Sequence, residues 1–261
     1  MERIDHIIIS AENFKEAVQD FREAGFEVFF GTREAKATNA LIFLNDHSFI
    51  ELLKANVAPP IVRWLTQLGI MKFFSPYYNR IGHYALAQEP ILDYAVYSGN
   101  LRGLYERVRA SSSEIREHRR KRPDRSFVLW QFLMPKNLKL PFVMSDFYPN
   151  RMTRQETNVH PNGITGIGAI NVQFDGEQIA VIDNLVRFFQ ILPENISTHS
   201  QGFSVKTENA IVNYTKSARQ RINSVMLTPY SETVNQRLRK YGIRTTNPTD
   251  LLSNQNLLTG S

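Results

Sequence analysis

The chain opens on Ile4-Asp5-His6-Ile7-Ile8-Ile9-Ser10, an apolar run of strand length that is rich in β-branched residues. Alternation puts Ile7 and Ile9 on one face and His6 and Ile8 on the other. Glu12-Asn13 then starts a helix in which Phe14, Ala17, Val18 and Phe21 recur at helical spacing, and Gly25 closes it. Three strands are predicted next, over 26–32, 38–44 and 48–54, the last two joined by a tight turn at Asn45-Asp46-His47. In the final strand Phe49, Glu51 and Leu53 share a face.

The same order of strand, helix and three strands recurs twice. The second unit begins with a strand over 91–97 and a helix over 101–110 striped by Leu104, Tyr105 and Val108; strands over 114–119, 127–133 and 140–147 follow. The third has a strand over 167–174 and a helix over 177–190 with Ile179, Ile182, Leu185, Val186 and Phe189 on one side. Its strands are expected over 203–207, 210–214 and 222–227. A period of roughly 75 to 90 residues marks a domain-scale duplication and not a solenoid. The pattern predicts an α+β fold of three βαβββ units, two of which pair into a curled mixed sheet that forms a cup. The expected division is a domain over 1–163, with units at about 3–56 and 90–148, and a region over 164–261 holding the third unit, a helix over 232–241 and a polar tail. Between the first two units, 59–88 carries Ile61, Val62, Trp64, Leu65, Leu68, Met71, Phe73 and Phe74. So many large apolar groups favour a helix packed across the outside of the barrel over a lid on the cup. An unpaired third unit would expose a sheet edge, which suggests a homodimer through that unit; the alternative is that it packs on the first two in the same chain.

Composition narrows the chemistry. With 261 residues, 42% apolar and 21% charged, the chain suits a soluble globular protein, and the absence of cysteine excludes disulfides, thiolate metal sites and Cys nucleophiles. Any metal must be held by His, Asp, Glu or weaker oxygen donors. Met1-Glu2-Arg3 runs straight into the first strand without the layout of a secretion signal, and no window approaches the ~20 apolar residues of a membrane span. A cytoplasmic protein without a membrane partner is expected. The net charge of +6 owes much to the run from Arg116 to Arg125. Such a cluster can neutralise phosphates, but it belongs to no nucleic-acid module, and a solvated hairpin rim is the favoured reading.

Only the first unit places a His and a Glu, His6 and Glu51, where both can face one concave surface. The pair reads either as two metal ligands or as a histidine hydrogen-bonded to a carboxylate. In both cases Glu51 is the leading catalytic candidate, because a carboxylate in an apolar cup can serve as a proton-transferring base. Asn39 could donate to a substrate oxygen or face solvent at a strand edge. Trp130 and Phe132 share a strand face and could wall the cup or be plain core. His83 is a further substrate-binding candidate or a surface histidine, and His160, in His-Pro-Asn-Gly, is expected to fix the loop entering the third unit.

Ile4-Asp5-His6-Ile7-Ile8, Thr38-Asn39-Ala40-Leu41 with Phe49-Ile50-Glu51-Leu52, Arg122-Pro123-Asp124, Trp130, Leu140-Pro141-Phe142 and His160-Pro161-Asn162-Gly163 together resemble the glyoxalase-like branch of the vicinal oxygen chelate superfamily. The resemblance covers roughly the first 165 residues well and the third unit more loosely. It implies paired βαβββ units around a cup in which a divalent metal chelates two neighbouring substrate oxygens, with no organic cofactor. His6 and Glu51 match the ligand positions of the first unit; the aligned positions are Tyr94 and Met144 or Asp146 in the second, and Ala169 and Val225 in the third. Asp146, His83 and His160 are the candidates for a third ligand. The function this implies is an isomerase or lyase acting on a small carbonyl or oxygen-rich molecule. The competing reading is a small-molecule binding or sequestering protein of the same fold. A dioxygenase is disfavoured, since iron asks for a fuller set of His and carboxylate ligands.

Overall fold

Two curled sheets share one apolar core in the computed structural model, which describes residues 2–55, 58–121, 126–149 and 159–251. The first unit comprises β1 (Ile4–Ala11), α1 (Phe14–Glu23), β2 (Asn39–Phe43) and β3 (Phe49–Lys54). After α2 (Pro60–Gln67) and α3 (Pro76–Leu86), the second comprises β4 (Ile91–Tyr97), α4 (Leu101–Val108), β5 (Arg116–Lys121), β6 (Phe127–Leu133) and β7 (Phe142–Met144). Asn13 and Asn100 cap α1 and α4 by accepting from backbone N–H groups in the first turn. The strands form one sheet of seven in the order β2-β3-β1-β4-β7-β6-β5. β1 lies parallel to β3 and antiparallel to β4, so the two units join along their first strands. This is the paired, curled mixed sheet that the repeat predicts.

The remainder of the chain forms β8 (Gly166–Phe174), α5 (Gln178–Phe189), β9 (Ile196–His199), β10 (Gly202–Lys206), β11 (Ile211–Lys216), β12 (Arg221–Thr228), α6 (Glu232–Leu238) and β13 (Ile243–Thr245). Its six-stranded order, β13-β12-β8-β11-β10-β9, corrects the expected third unit. The three strands that follow α5 are β9, β10 and β11, whereas the strand expected to end the unit, β12, pairs antiparallel with β8 just as β4 pairs with β1. β13 then lies parallel to β12, as β7 lies parallel to β4. β12, α6 and β13 are therefore a shortened fourth unit without the two middle strands. The edge of β8 on which the expectation of a homodimer rested is occupied by β12 of the same chain.

Ile4, Ile7 and Ile9 of β1, Tyr94 and Val96 of β4, and Ile170, Val172, Tyr214 and Val225 of the second sheet point into the common core, together with the apolar sides of α1, α4, α5 and α6. The Tyr94 and Tyr214 hydroxyls meet at 2.6 Å across it, and burial keeps both phenols protonated. The third unit thus packs on the first two within one chain. At the turn before β3, Asp46 accepts from the backbone N–H of Ile167 and the side chain of Asn209, both at 3.1 Å, and ties the sheets together. On the face of the second sheet opposite the core, Ser204, Asn213, Asn171 and Ser224 bond one another in a ladder across four strands at 2.9 to 3.0 Å.

Two further expectations change. Residues 26–32 form no full strand: Phe29 bridges Leu41, but the N–H of Glu27 goes instead to the ring of His160. The segment 59–88 is two helices broken at Gly69, whose φ of +67° is left-handed, and it does not pack across the outside. Tyr77, Ile81 and Tyr84 of α3 line the cup, so α3 roofs it, and α2 rides on α3. Arg80, 2% exposed, anchors that roof: it is ion-paired with Asp93 of β4 and donates to the carbonyl of Leu140 at 2.7 Å. Among the described residues no helix is long and apolar enough to cross a membrane.

Candidate active site in the cup

The concave face of the first sheet and the roof helix α3 enclose a cavity of about 600 Å³. Its walls are mostly apolar, with Leu41, Phe43, Trp130, Phe132, Phe142 and Phe147 among them. The polar groups form a connected row. Arg120 of β5 donates to the side-chain oxygen of Asn39 on β2 at 2.8 Å, and the Asn39 amide donates to Glu51 Oε1 of β3 at 2.7 Å. Glu51 Oε2 stands 3.9 Å from His6 Nε2. The other ring nitrogen, Nδ1, lies 2.8 Å from Asp5 Oδ2. Asp5 and His6 are almost wholly buried.

Local structure explains each placement. His6 and Glu51 reach the cup by alternation on two strands that pair directly, Ile8 of β1 lying opposite Glu51. The pairing of β1 with β4 shifts register between Ile4 and His6, a bulge at Asp5 beside which its carboxylate bonds the neighbouring ring. The ring is also fixed by stacking on Phe49, with centroids 4.3 Å apart, and by the edge of Phe142 at 5.3 Å. Since an ionised carboxylate only accepts, Nδ1 carries the hydrogen of that contact and Nε2 is the ring nitrogen on the side of Glu51. Arg120 lies over Gly31, where a Cβ would come within 2.0 Å of the guanidinium; glycine is required for that approach.

Several expectations are revised. The carboxylate partner of His6 is Asp5, while Glu51 lies beyond hydrogen-bond distance of the ring. Asn39 lines the cup and donates one of its two amide hydrogens to Glu51. Trp130 and Phe132 do wall the cup. His83 does not reach it and lines a separate cavity of about 410 Å³ on the other side of Arg80 and Asp93. The run from Arg116 is only half a solvated rim: Arg116, His118 and Arg120 alternate with exposed Glu117, Arg119 and Lys121, and His118 and Arg120 face the cup. His118 sets its ring against Trp130 at 5.5 Å and Phe132 at 4.9 Å, and burial, aided by Arg116, pushes its pKa below the ordinary value. The Arg122-Pro123-Asp124 motif lies outside the described residues.

The donor set does not fit a metal held by three protein ligands. Ala95, not Tyr94, lies opposite His6 on β4, and Tyr94 points into the core on the far side. Met144 is apolar wall, and Asp146 sits at the rim accepting from the Tyr97 hydroxyl at 2.9 Å. Among the described residues no three His, Asp or Glu side chains are arranged to hold an ion.

His160 fixes the chain entry instead. Its Nδ1 accepts from the Glu27 N–H at 3.1 Å and its Nε2 donates to the Phe43 carbonyl at 2.8 Å. Burial holds its pKa below the ordinary histidine value, so the unfolded chain takes up a proton more readily than the folded one. The resulting stability is complete above about pH 6.5 and is lost as pH falls below it. Replacing His160 by Gln should cost about 1 to 3 kcal/mol at neutral pH. In urea unfolding, the variant should then lose less between neutral and mildly acidic pH than the parent does. An equal acid loss in both would assign the effect to other groups.

Sequence and structure comparisons agree with this architecture. The glyoxalase-like domain model matches residues 4–181. No functionally curated protein matches the chain. Among solved structures, a hypothetical protein from Staphylococcus aureus is 15% identical with a TM-score of 0.68, over 94% of this chain and 98% of that one. A 2,2',3-trihydroxybiphenyl 1,2-dioxygenase from Sphingomonas wittichii is 11% identical with a TM-score of 0.50, over 92% and 77% respectively. At such identities the likeness is one of fold. With most of its length inside the family model and its units paired along their first strands, the chain belongs to the glyoxalase-like domain family.

Proposed function

We propose that the cup binds a small, largely apolar carbonyl compound and that Glu51 and His6 shift a proton on it, in an isomerase- or lyase-type reaction. The supporting observation is the row from Arg120 through Asn39 to Glu51, facing His6 and Asp5 inside an otherwise apolar cavity. Glu51, oriented by Asn39, takes a proton from the carbon beside the carbonyl; the C–H pair becomes the C=C bond of an enolate, and the carbonyl π pair moves onto oxygen. His6 Nε2 accepts a hydroxyl proton from the same substrate, and Asp5 stabilises the imidazolium that results. Glu51 then gives its proton to the former carbonyl carbon and the His6 imidazolium gives its proton to the former carbonyl oxygen, while the deprotonated hydroxyl becomes the new carbonyl, which completes an isomerisation; in an elimination the enolate pair instead expels a leaving group with its bonding electrons, and the imidazolium protonates that group. The divalent metal implied by the superfamily would find His6 and Glu51 but no third acid or imidazole ligand among the described residues, so no step is assigned to it.

One observation favours the second reading, a binding or sequestering protein: Ala95, Phe142 and Met144 stand on β4 and β7, where a second pair of ligands would be needed. Incubating candidate carbonyl ligands with the protein in heavy water separates the two. Deuterium should enter the carbon next to the carbonyl, Glu51→Gln should slow this about 10²- to 10⁴-fold while still binding, and a chelator should change nothing. Ligands that bind the parent without exchange would establish sequestration, and exchange abolished by the chelator would contradict the metal-free assignment.

A further inference from the structure

The roof of the cup carries an apolar surface that the proposed reaction does not use. In α2, Ile61, Trp64 and Leu68 fall on one stripe, and that stripe faces outward: each is more than half exposed. Phe73 and Phe74, in the turn that follows, are 79% and 75% exposed, and Tyr78 in the first turn of α3 is exposed as well. α2 approaches α3 closely at one point. Thr66 is buried against Gly82, where a Cβ would approach the Thr66 hydroxyl oxygen to 1.9 Å. The helix thus buries Thr66 and half-buries Val62 and Leu65, while Ile61, Trp64 and, just past its end, Leu68 stand in water. An exposed patch of this kind needs an occupant.

Charge identifies one. No Asp or Glu occurs from Leu52 to Gln88, whereas Arg63 in α2 and Lys72 in the turn do; Arg80, buried against Asp93, adds no surface charge. Lys72 is exposed and its ammonium lies 5.0 Å from the Phe73 ring. The basic strand β5 adjoins the same surface, since the Arg116 guanidinium sits 4.8 Å from the Tyr77 ring and 5.6 Å from the Tyr78 ring. Trp, Phe, Leu and Ile ringed by Lys and Arg are the composition of an interfacial element on an anionic bilayer. A second copy docked by two-fold symmetry would set this cationic rim against itself. We infer that α2 and the turn through Phe74 dock the protein peripherally onto an anionic lipid surface. The expectation of no membrane partner considered only spanning segments, and this contact spans nothing.

The test is flotation of the full chain with vesicles of phosphatidylcholine alone or mixed with phosphatidylglycerol, at low and high salt. The protein should float with the anionic vesicles, less so at high salt, and Trp64 emission should shift to the blue. Phe73→Ser with Phe74→Ser should reduce the bound fraction at least about tenfold. Both side chains are solvent-exposed, so the unfolding midpoint of the double variant should match the parent. No flotation with either vesicle, or flotation unchanged in the variant, would overturn the inference. So would light scattering that shows a dimer converted to monomer by the same substitutions, which would assign the patch to a second copy.

Discussion

Replacing Arg80 by Met should destabilise the protein by about 3 to 5 kcal/mol, the usual cost of stranding one member of a buried ion pair. The guanidinium is enclosed by β4, α3 and the Leu140 carbonyl, and its partner Asp93 also accepts from the Tyr84 hydroxyl and from the Tyr94 N–H at 2.8 Å. Without Arg80 those donors remain, but the carboxylate loses its cation in a place where little water reaches it. Asp93→Asn on top of Arg80→Met should recover much of the loss, because no charge is then left unpaired. Urea unfolding of the two single variants and the double variant measures the coupling; additive losses would mean that the pair contributes nothing beyond packing. The same bond holds α3 over the cup, so ligand affinity should fall in Arg80→Met and stay reduced in the double variant, which lacks the bond as well.

Asp5→Asn should lower turnover of any substrate that satisfies the heavy-water test by about 10²- to 10⁴-fold, with KM nearly unchanged. Asp5 is sealed from the cavity and contacts no ligand; it acts through His6, by fixing the hydrogen on Nδ1 and by balancing positive charge on the ring. Asparagine preserves shape and one acceptor oxygen but not the charge. Its effect therefore belongs in kcat. A raised KM at constant kcat would make Asp5 a scaffold for the binding surface instead, and the unfolding midpoint, measured alongside, separates either outcome from loss of fold.

The repeat was legible because strand alternation and the helix stripes of α1, α4 and α5 are local signals, and each unit carries its own. Where the units meet was not legible from the same signals. β12 was counted with the third unit since nothing in Arg221–Thr228 distinguishes a last strand from a first; only its antiparallel pairing with β8 does so. His6 and Glu51 were found because both sit at alternate positions of adjacent strands. Asp5 was missed because period-two alternation places it on the opposite face, and it bonds His6 only beside a bulge. His118 and Arg120 were visible in principle: every second residue of the basic run is half-buried, but a cluster of charges was taken for solvent-facing surface as a whole. The outward stripe of α2 misled for a plain reason. Hydrophobic spacing reports that a helix has an apolar side, not which way that side points.

The missing middle strands of the fourth unit bear on stoichiometry. The first sheet closes its cup with β5 and β6 of the second unit, and the fourth unit, which pairs with the third as the second does with the first, has no counterpart to either. The face that would have lined a second cup is engaged with itself, its Ser and Asn side chains bonded to one another across the strands. Duplication has therefore produced one open cup and one buttress, and calorimetric titration with a cup ligand should saturate at a single equivalent per chain.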